Sequence, residues 1–198
     1  MNTLGLDLAG SSGRPTGACV MNERLKVSCS VLRSDVEIIS LAKQSHPKVI
    51  AIDAPLALPI GRHCLGEHCR GRQHFRACDV ALRHMGIKFF PITLGPMRAL
   101  TRRGIRLRKC LERLGFDVFE TYPGAAQDLL GINRKQYGLE SLQHSLVKLG
   151  CRGDIQKRSL TGDELDAISC ALVANDYRKG HYLAIGNPRE IMMILPRA

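Results

Sequence analysis

The apolar and polar pattern of this chain predicts an α/β fold: a mixed sheet in which an antiparallel meander continues into parallel strands, flanked by helices. Three observations carry that expectation. Strand-like segments crowd the chain before Arg33, whereas strands and helices alternate after it, the order in which a hairpin leads into crossover units. Thr3–Gly10, Val49–Ala54 and Phe116–Thr121 are largely apolar on both alternating faces, as strands buried within a layered sheet are. Ser34 with Glu37, and Thr161 with Glu164, have the spacing of capping boxes and mark two helix starts. About five strands are expected.

In chain order, Thr3–Gly10 is the first strand. Alternation puts Leu4, Leu6 and Leu8 on one face and Gly5, Asp7 and Ala9 on the other. A Gly/Ser/Pro loop follows to Thr16. Gly17–Met21 and Leu25–Leu32 read as a hairpin turning near Asn22-Glu23, the second arm alternating cleanly. A helix runs from Asp35 to about Gln44 and stops at His46-Pro47, before the strand Val49–Ala54. Pro55–Gln73 is a loop rich in Cys, His, Arg and Gly. His74–Met85 is expected to be a helix with Phe75, Cys78, Leu82 and Met85 on its apolar stripe, and Phe89-Phe90 a short extended piece. Pro96 opens a helix to Leu114, because proline suits the first helical turn. Phe116–Thr121 is the next strand. Short helices fill Ala125–Leu130 and Leu139–Leu149, Cys151–Ser159 is a polar basic loop, and Thr161 opens the last helix, which runs to about Tyr177. Tyr182–Ile185 and Ile191–Leu195 are peripheral extended segments.

The 198 residues are most simply one domain, 1–198, with a Cys/His-rich insertion around 61–78. With 29 Lys+Arg against 18 Asp+Glu the net charge is +11, a balance that favours a polyanionic partner, most often nucleic acid, DNA or RNA. No segment approaches the ~18 apolar residues of a membrane span, so no membrane partner is expected. The N-terminus lacks the basic-then-apolar pattern of a secretory signal, and the expected location is the cytoplasm. The oligomeric state is open, a dimer included.

The carboxylates are placed unusually. Asp7 lies between the two smallest side chains of its strand, which leaves space over it; Asp53 ends a second buried strand on the face of Ala51. Glu120 ends a third. Asp163 and Asp166, spaced i, i+3, face one direction at the start of the last helix. A charge in an apolar strand is costly unless it is paired or binds metal. Each group also has a bland reading: Asp7 accepting loop N–H bonds from Gly10–Gly13, Asp53 and Glu120 capping loops, and Asp163 and Asp166 favoured by the helix macrodipole.

Five motifs carry a resemblance: Gly5-Leu-Asp-Leu-Ala-Gly10, Ala51-Ile-Asp-Ala-Pro-Leu56, Phe90-Pro-Ile-Thr-Leu-Gly-Pro-Met97, Glu120-Thr-Tyr-Pro-Gly-Ala-Ala-Gln-Asp-Leu-Leu-Gly131 and Asp163-Glu-Leu-Asp-Ala167. With them the chain resembles a prokaryotic family of predicted nucleases, itself uncharacterised, with an RNase H-like fold. The layout is similar to the RuvC-like resolvase branch of that superfamily. There, one carboxylate lies on the first strand, one at the end of the fourth, and a pair three apart on the last helix. Carried over residue by residue, these are Asp7, Asp53, Asp163 and Asp166, with Glu120 beyond that minimal set.

The resemblance implies a nuclease that hydrolyses phosphodiester bonds with two divalent ions. Such a pair supplies an activated water, an in-line geometry and charge neutralisation at the leaving oxygen. Hard oxygen ligands suit Mg²⁺ or Mn²⁺. In this reading Asp7 bridges the ions, Asp53 and Asp166 each hold one, and Asp163 or Glu120 completes a shell. Glu164 belongs to the capping box. The alternatives are a non-catalytic nucleic-acid-binding protein of the same fold, which gains nothing from carboxylates that repel phosphate, and an actin-like phosphotransferase, which needs two copies of the fold.

Two further sets stand apart. On the helix after Pro96, Arg98, Arg102, Arg106, Lys109 and Arg113 form a basic stripe opposite Met97, Leu100, Gly104, Leu107, Leu111 and Leu114; it is the expected phosphate-facing surface, against the bland reading of a solvated face. With 5% aromatics and no tryptophan, a platform for stacking single strands has little support, and backbone recognition of a duplex or branched structure fits better. Cys64, Cys69, His74 and Cys78 offer a Cys₃His set for structural zinc, with His63 and His68 nearby. Their spacing resembles a zinc knuckle without matching it, and Cys78 also suits the apolar stripe of its helix.

Overall fold

β1 (Asn2–Asp7) lies inside the sheet because both its faces are apolar or small: it pairs antiparallel with β2 (Thr16–Asn22) and parallel with β4 (Val49–Asp53). These and all later contacts come from a computed structural model that describes residues 1–11, 13–66, 69 and 73–197. β2 turns at Asn22 into β3 (Lys26–Leu32), and Asn22 Oδ1 closes the turn by accepting N–H bonds from Arg24 and Lys26. β5 (Asp117–Thr121) extends the parallel side beyond β4.

The five expected strands are therefore present, and three more join them. β6 (Arg152–Gly153) pairs with β3, β8 (Met193–Pro196) runs parallel to β5, and β7 (Tyr182–Ile185) closes the edge antiparallel to β8. The order is β6-β3-β2-β1-β4-β5-β8-β7. The two terminal segments expected to be extended and peripheral are thus strands at one edge of the sheet. The polar stretch after Cys151, expected as a loop, holds β6 and one turn of helix, α6 (Asp154–Lys157), whose Asp154 accepts the Cys29 N–H.

Helices cover both faces. Leu4, Leu6, Leu8, Ile50 and Ile52 meet Ile38 and Ala42 of α1 (Asp35–Ser45) and Leu107 and Leu111 of α3 (Gly95–Arg113). On the other face, Cys19, Met21, Ala51 and Phe119 meet α7 (Gly162–Arg178), with α4 (Pro123–Leu129) and α5 (Leu139–Lys148) outside it. Sheet on one side and helices on the other leave α7 buried through residues 164–175. Both expected N-caps form: Glu37 N–H bonds Ser34 Oγ, and Thr161 and Glu164 bond each other reciprocally. α2 (Ala77–His84) starts later than its periodicity predicts, because the Asp79 carboxylate accepts the Arg76 N–H and fixes the first turn there. Phe89-Phe90 forms no strand.

Two glycines set the helix height. A Cβ on Gly5 would run into the α7 backbone at Ala167 and Ala171, and one on Gly17 into the backbone at Asp163. The space that alternation leaves over this face of β1 is therefore filled by α7, whose backbone rests on the strands and brings its first turns down onto Asp7.

Candidate metal centre

Asp7 and Asp53 end adjacent parallel strands and are register partners. Each shares a face with a small residue, Gly5 or Ala51, and that face lies under α7. Asp7 is also the register partner of Gly17, above which the Asp163 turn sits. Asp166 follows one turn later. Strand ends and helix start thus gather at one end of the sheet.

A cation sits among them. Lys135, in the 3-10 turn Lys135–Tyr137, places Nζ 2.6 Å from Asp166 Oδ2, 3.5 Å from Asp7 Oδ2 and 3.6 Å from Asp163 Oδ1. The other oxygen of Asp166 accepts a bond from the buried Gln127 amide at 2.7 Å, which also donates to Ser169 Oγ at 3.0 Å. Burial, then the Asp166 charge, push the Asp7 carboxyl up to about 7, with Lys135 pulling the other way. Burial, then Asp7 and Asp166, hold Asp53 well above the usual carboxylate range. Partial burial works against the Lys135 charge, but Asp166 and Asp7 outweigh it and raise its pKa. As the side chains stand, no three His, Cys, Asp or Glu among the described residues converge tightly enough to hold one ion. In the acidic cluster, Lys135 is the shared partner of Asp7, Asp163 and Asp166.

Glu120 does not join this cluster. Its register partner is Ile52, and it shares a face with Val118, so it projects away from the face of Asp7 and Asp53. Its Oε2 accepts Arg76 Nη1 at 2.5 Å and the Leu56 N–H at 2.8 Å, while Arg76 Nη2 pairs with Asp79 at 2.8 Å. All three charges are almost fully buried, and burial raises the Glu120 pKa despite Arg76. A cleft of about 300 Å³ runs from Asp53, Asp166 and Lys135 past this network to Phe89, Phe90 and Tyr122.

The basic stripe is partly exposed. Arg102, Arg106, Lys109 and Arg113 are exposed on α3, whereas Arg98 is half-buried and donates Nε to Thr93 O at 2.7 Å. α3 starts beside Gly10, just beyond Asp7, so the first of these arginines lie at the acidic end of the sheet. Arg103 was not singled out by the sequence pattern. It is buried, pairs with Asp35 at 2.8 Å, and donates to Ala9 O and Thr16 Oγ1, which ties the loop after β1 to α1 and α3. Gln127 and Lys135 were also missed. Gln127 is the polar residue in an apolar part of its motif, a signal that was available; nothing near Lys135 in the chain marks it.

The zinc set does not form. Cys64 and Cys69 are joined as a disulfide, so neither offers a thiolate. Cys78 is buried in α2 against a small cluster with Leu82, Met193 and Leu195, and His74 Nδ1 bonds Thr93 Oγ1 at 2.9 Å. His63 is exposed, and His68 lies outside the described residues. No helix among the described residues is long and apolar enough to cross a membrane.

No curated protein matches the chain. Among solved structures it is similar to "T. thermophilus RuvC in complex with Holliday junction substrate", at 14% identity over 91% of this chain and 97% of that one, with a TM-score of 0.50. A second Thermus thermophilus RuvC structure has 16% identity over the same shares and a TM-score of 0.43. At such identity the likeness shows the fold, and the RNase H-like architecture expected from the motifs is present. Residues 5–191, from β1 to the edge of β8, match the family described as "Protein of unknown function (DUF429)", and the chain belongs to that family.

Proposed function

We propose that this protein is a metal-dependent nuclease that hydrolyses phosphodiester bonds. One observation carries the reading: the carboxylates of β1, β4 and α7 gather at one end of the sheet, and the fold already places a cation among three of them. The donors are hard oxygens with no thiolate or imidazole among them, which suits Mg²⁺ or Mn²⁺. Asp7 and Asp53 lie side by side under α7 with their charged forms disfavoured by burial and by the Asp166 charge, and that of Asp53 also by Asp7, a strain that a divalent ion would relieve.

In this reading Asp7 is the shared ligand, Asp53 and Asp166 complete the holding set, and Asp163 extends it at the rim. Divalent ions held by these carboxylates would supply a hydroxide near neutral pH and would neutralise the leaving oxygen. Gln127 fixes the rotation of Asp166 through Oδ1 and leaves Oδ2 to face the cluster. Occupation by a pair of ions requires Lys135 Nζ to withdraw from Asp166. Arg102 and Arg106 offer charges to a phosphate backbone beyond the Gly10 loop, and the net charge of +11 draws a polyanion from any direction.

The similar RuvC structure holds a Holliday junction. For this chain the supported class is broader: structured DNA or RNA recognised along its backbone. The test is cleavage of labelled duplexes, hybrids, flaps and four-way junctions in Mg²⁺, Mn²⁺ or EDTA, with Asp53→Asn as control. Metal-dependent cutting lost in the control is expected. No cutting of any substrate in either metal, or equal cutting by the control, overturns the proposal.

A further inference from the structure

We infer that Lys135 stands in for a second cation, so that the centre takes one divalent ion, between Asp7 and Asp53, rather than two. The inference rests on the metal-dependent reading above and narrows it. An ion bridging Asp7 and Asp166 would need the volume that Nζ fills, 2.6 Å from Asp166 Oδ2 and 3.5 Å from Asp7 Oδ2. An ion between Asp7 and Asp53 meets less crowding, because Lys135 forms no ion pair with Asp53 and approaches Asp7 only to 3.5 Å, although its charge is felt at both. The two aspartates are register partners on adjacent strands, and Lys135 forms its ion pairs with Asp7, Asp163 and Asp166.

The lysine is built into this position. Its stem crosses Gly162, the first residue of α7, where a Cβ would meet Lys135 Cδ at 3.1 Å. Gly162 does not take a positive φ, so its backbone does not require glycine. The missing side chain clears a path for the lysine stem. The turn that carries Lys135 is anchored on both sides. Arg134 bonds both oxygens of Asp128 at 2.8 Å and 2.5 Å, and Gly138 N–H donates to Lys135 O at 3.1 Å. Asp166 is spoken for at both oxygens, by Gln127 and by Lys135. A permanent +1 charge in a fixed place does part of what a second ion does: it neutralises the ligand carboxylates and presents a positive charge to phosphate.

The experiment counts ions on the full chain with Mn²⁺ alone, by calorimetry and by electron paramagnetic resonance. Wild type is expected to bind one ion per chain and to give the six-line spectrum of isolated Mn²⁺. Lys135→Met keeps the stem and removes the charge; it is expected to bind two ions and to show a spectrum broadened by coupling between neighbouring ions. Gly162→Ala, which crowds the stem without touching a carboxylate, is expected to weaken the exclusion and bind a second ion at high Mn²⁺. Two coupled ions in wild type overturn the inference and leave the metal centre standing, a result that needs no variant. So does a count that stays at one in Lys135→Met. Failure of both wild type and Lys135→Met to bind Mn²⁺ overturns the metal centre itself, and this inference with it.

Discussion

Replacing Asp7 with asparagine should stabilise the metal-free protein at alkaline pH. The Asp7 carboxyl is pushed from 3.8 to about 7 in the folded protein, chiefly by burial. A carboxyl with a raised folded-state pKa favours the fold only while protonated. Its contribution is intact below the unfolded value and is lost as the pH rises to about 7. Three pKa units correspond to about 4 kcal/mol at full ionisation. Asparagine cannot ionise, and its amide oxygen still accepts a bond from Lys135. The variant should therefore gain nothing at pH 3, about 2 kcal/mol at pH 5 and at most ~4 kcal/mol at pH 8. For a chain of this size 1 kcal/mol moves the melting point by about 2–4 °C, so the pH 8 gap in EDTA approaches 8–16 °C. Manganese should narrow the gap: at a hundred times its Kd it stabilises wild type by about 2.7 kcal/mol and the variant far less, which leaves the variant ahead by only about 1 kcal/mol at pH 8. The assay is a set of melting curves at pH 3, 5 and 8, in EDTA and in Mn²⁺. An Asp7→Asn protein that melts below wild type at pH 8 in EDTA, or a gap that does not change with pH, would refute the reasoning and make Asp7 a structural residue.

Reversing charge at Arg102 and Arg106 together should weaken binding to a duplex by about tenfold or more in moderate salt and lower the salt slope by ~2, as two phosphate contacts are lost; fluorescence anisotropy across a salt series reads both, and an unchanged slope marks the face as solvated. Glu120→Ala should cost about 3–5 kcal/mol in urea denaturation, because it leaves the buried Arg76 with Asp79 alone. Mn²⁺ affinity should stay within twofold of wild type, since Glu120 lies on the other face of the sheet; a large loss of affinity would return Glu120 to the metal centre.

How much of this was legible in the sequence depended on the range of the signal. Asp7, Asp53, Asp163 and Asp166 stand out in the sequence because each has a local signature: a carboxylate inside an apolar alternation, or in the first turns after a capping box. Glu120 has the first signature and yet faces away from the other carboxylates. Alternation says which residues of one strand share a face, but not which face meets which helix. The pairing of Ile52 with Glu120 decides that, and pairing between strands is not a local property. Lys135 and Gln127 were harder, because their roles arise only when a turn and a short helix fold over α7, far along the chain from β1. The cysteines misled through spacing alone: Cys64 and Cys69 were close enough in sequence to suggest shared ligation, and they bond one another instead.

The way the four aspartates are compensated explains where an ion belongs. Asp163 and Asp166 stand in the first turns of α7, where unpaired backbone N–H groups and the helix dipole favour negative charge. Asp166 adds Gln127 and Lys135, and Asp163 adds Lys135. The strand-borne pair has less. Asp7 reaches Lys135 only at 3.5 Å, and for Asp53 burial and the charges of Asp7 and Asp166 outweigh the pull of Lys135. Strand ends have no dipole comparable to that of a helix start. The same glycines that let α7 rest on β1 and β2 bring its backbone down beside these two carboxylates, and the resulting burial raises the cost of their charge. The protein thus neutralises the helix side of its acidic cluster with its own groups and leaves the strand side short of positive charge. A cation from solution gains most on the strand side, at Asp7 and Asp53, with Lys135 already in place opposite.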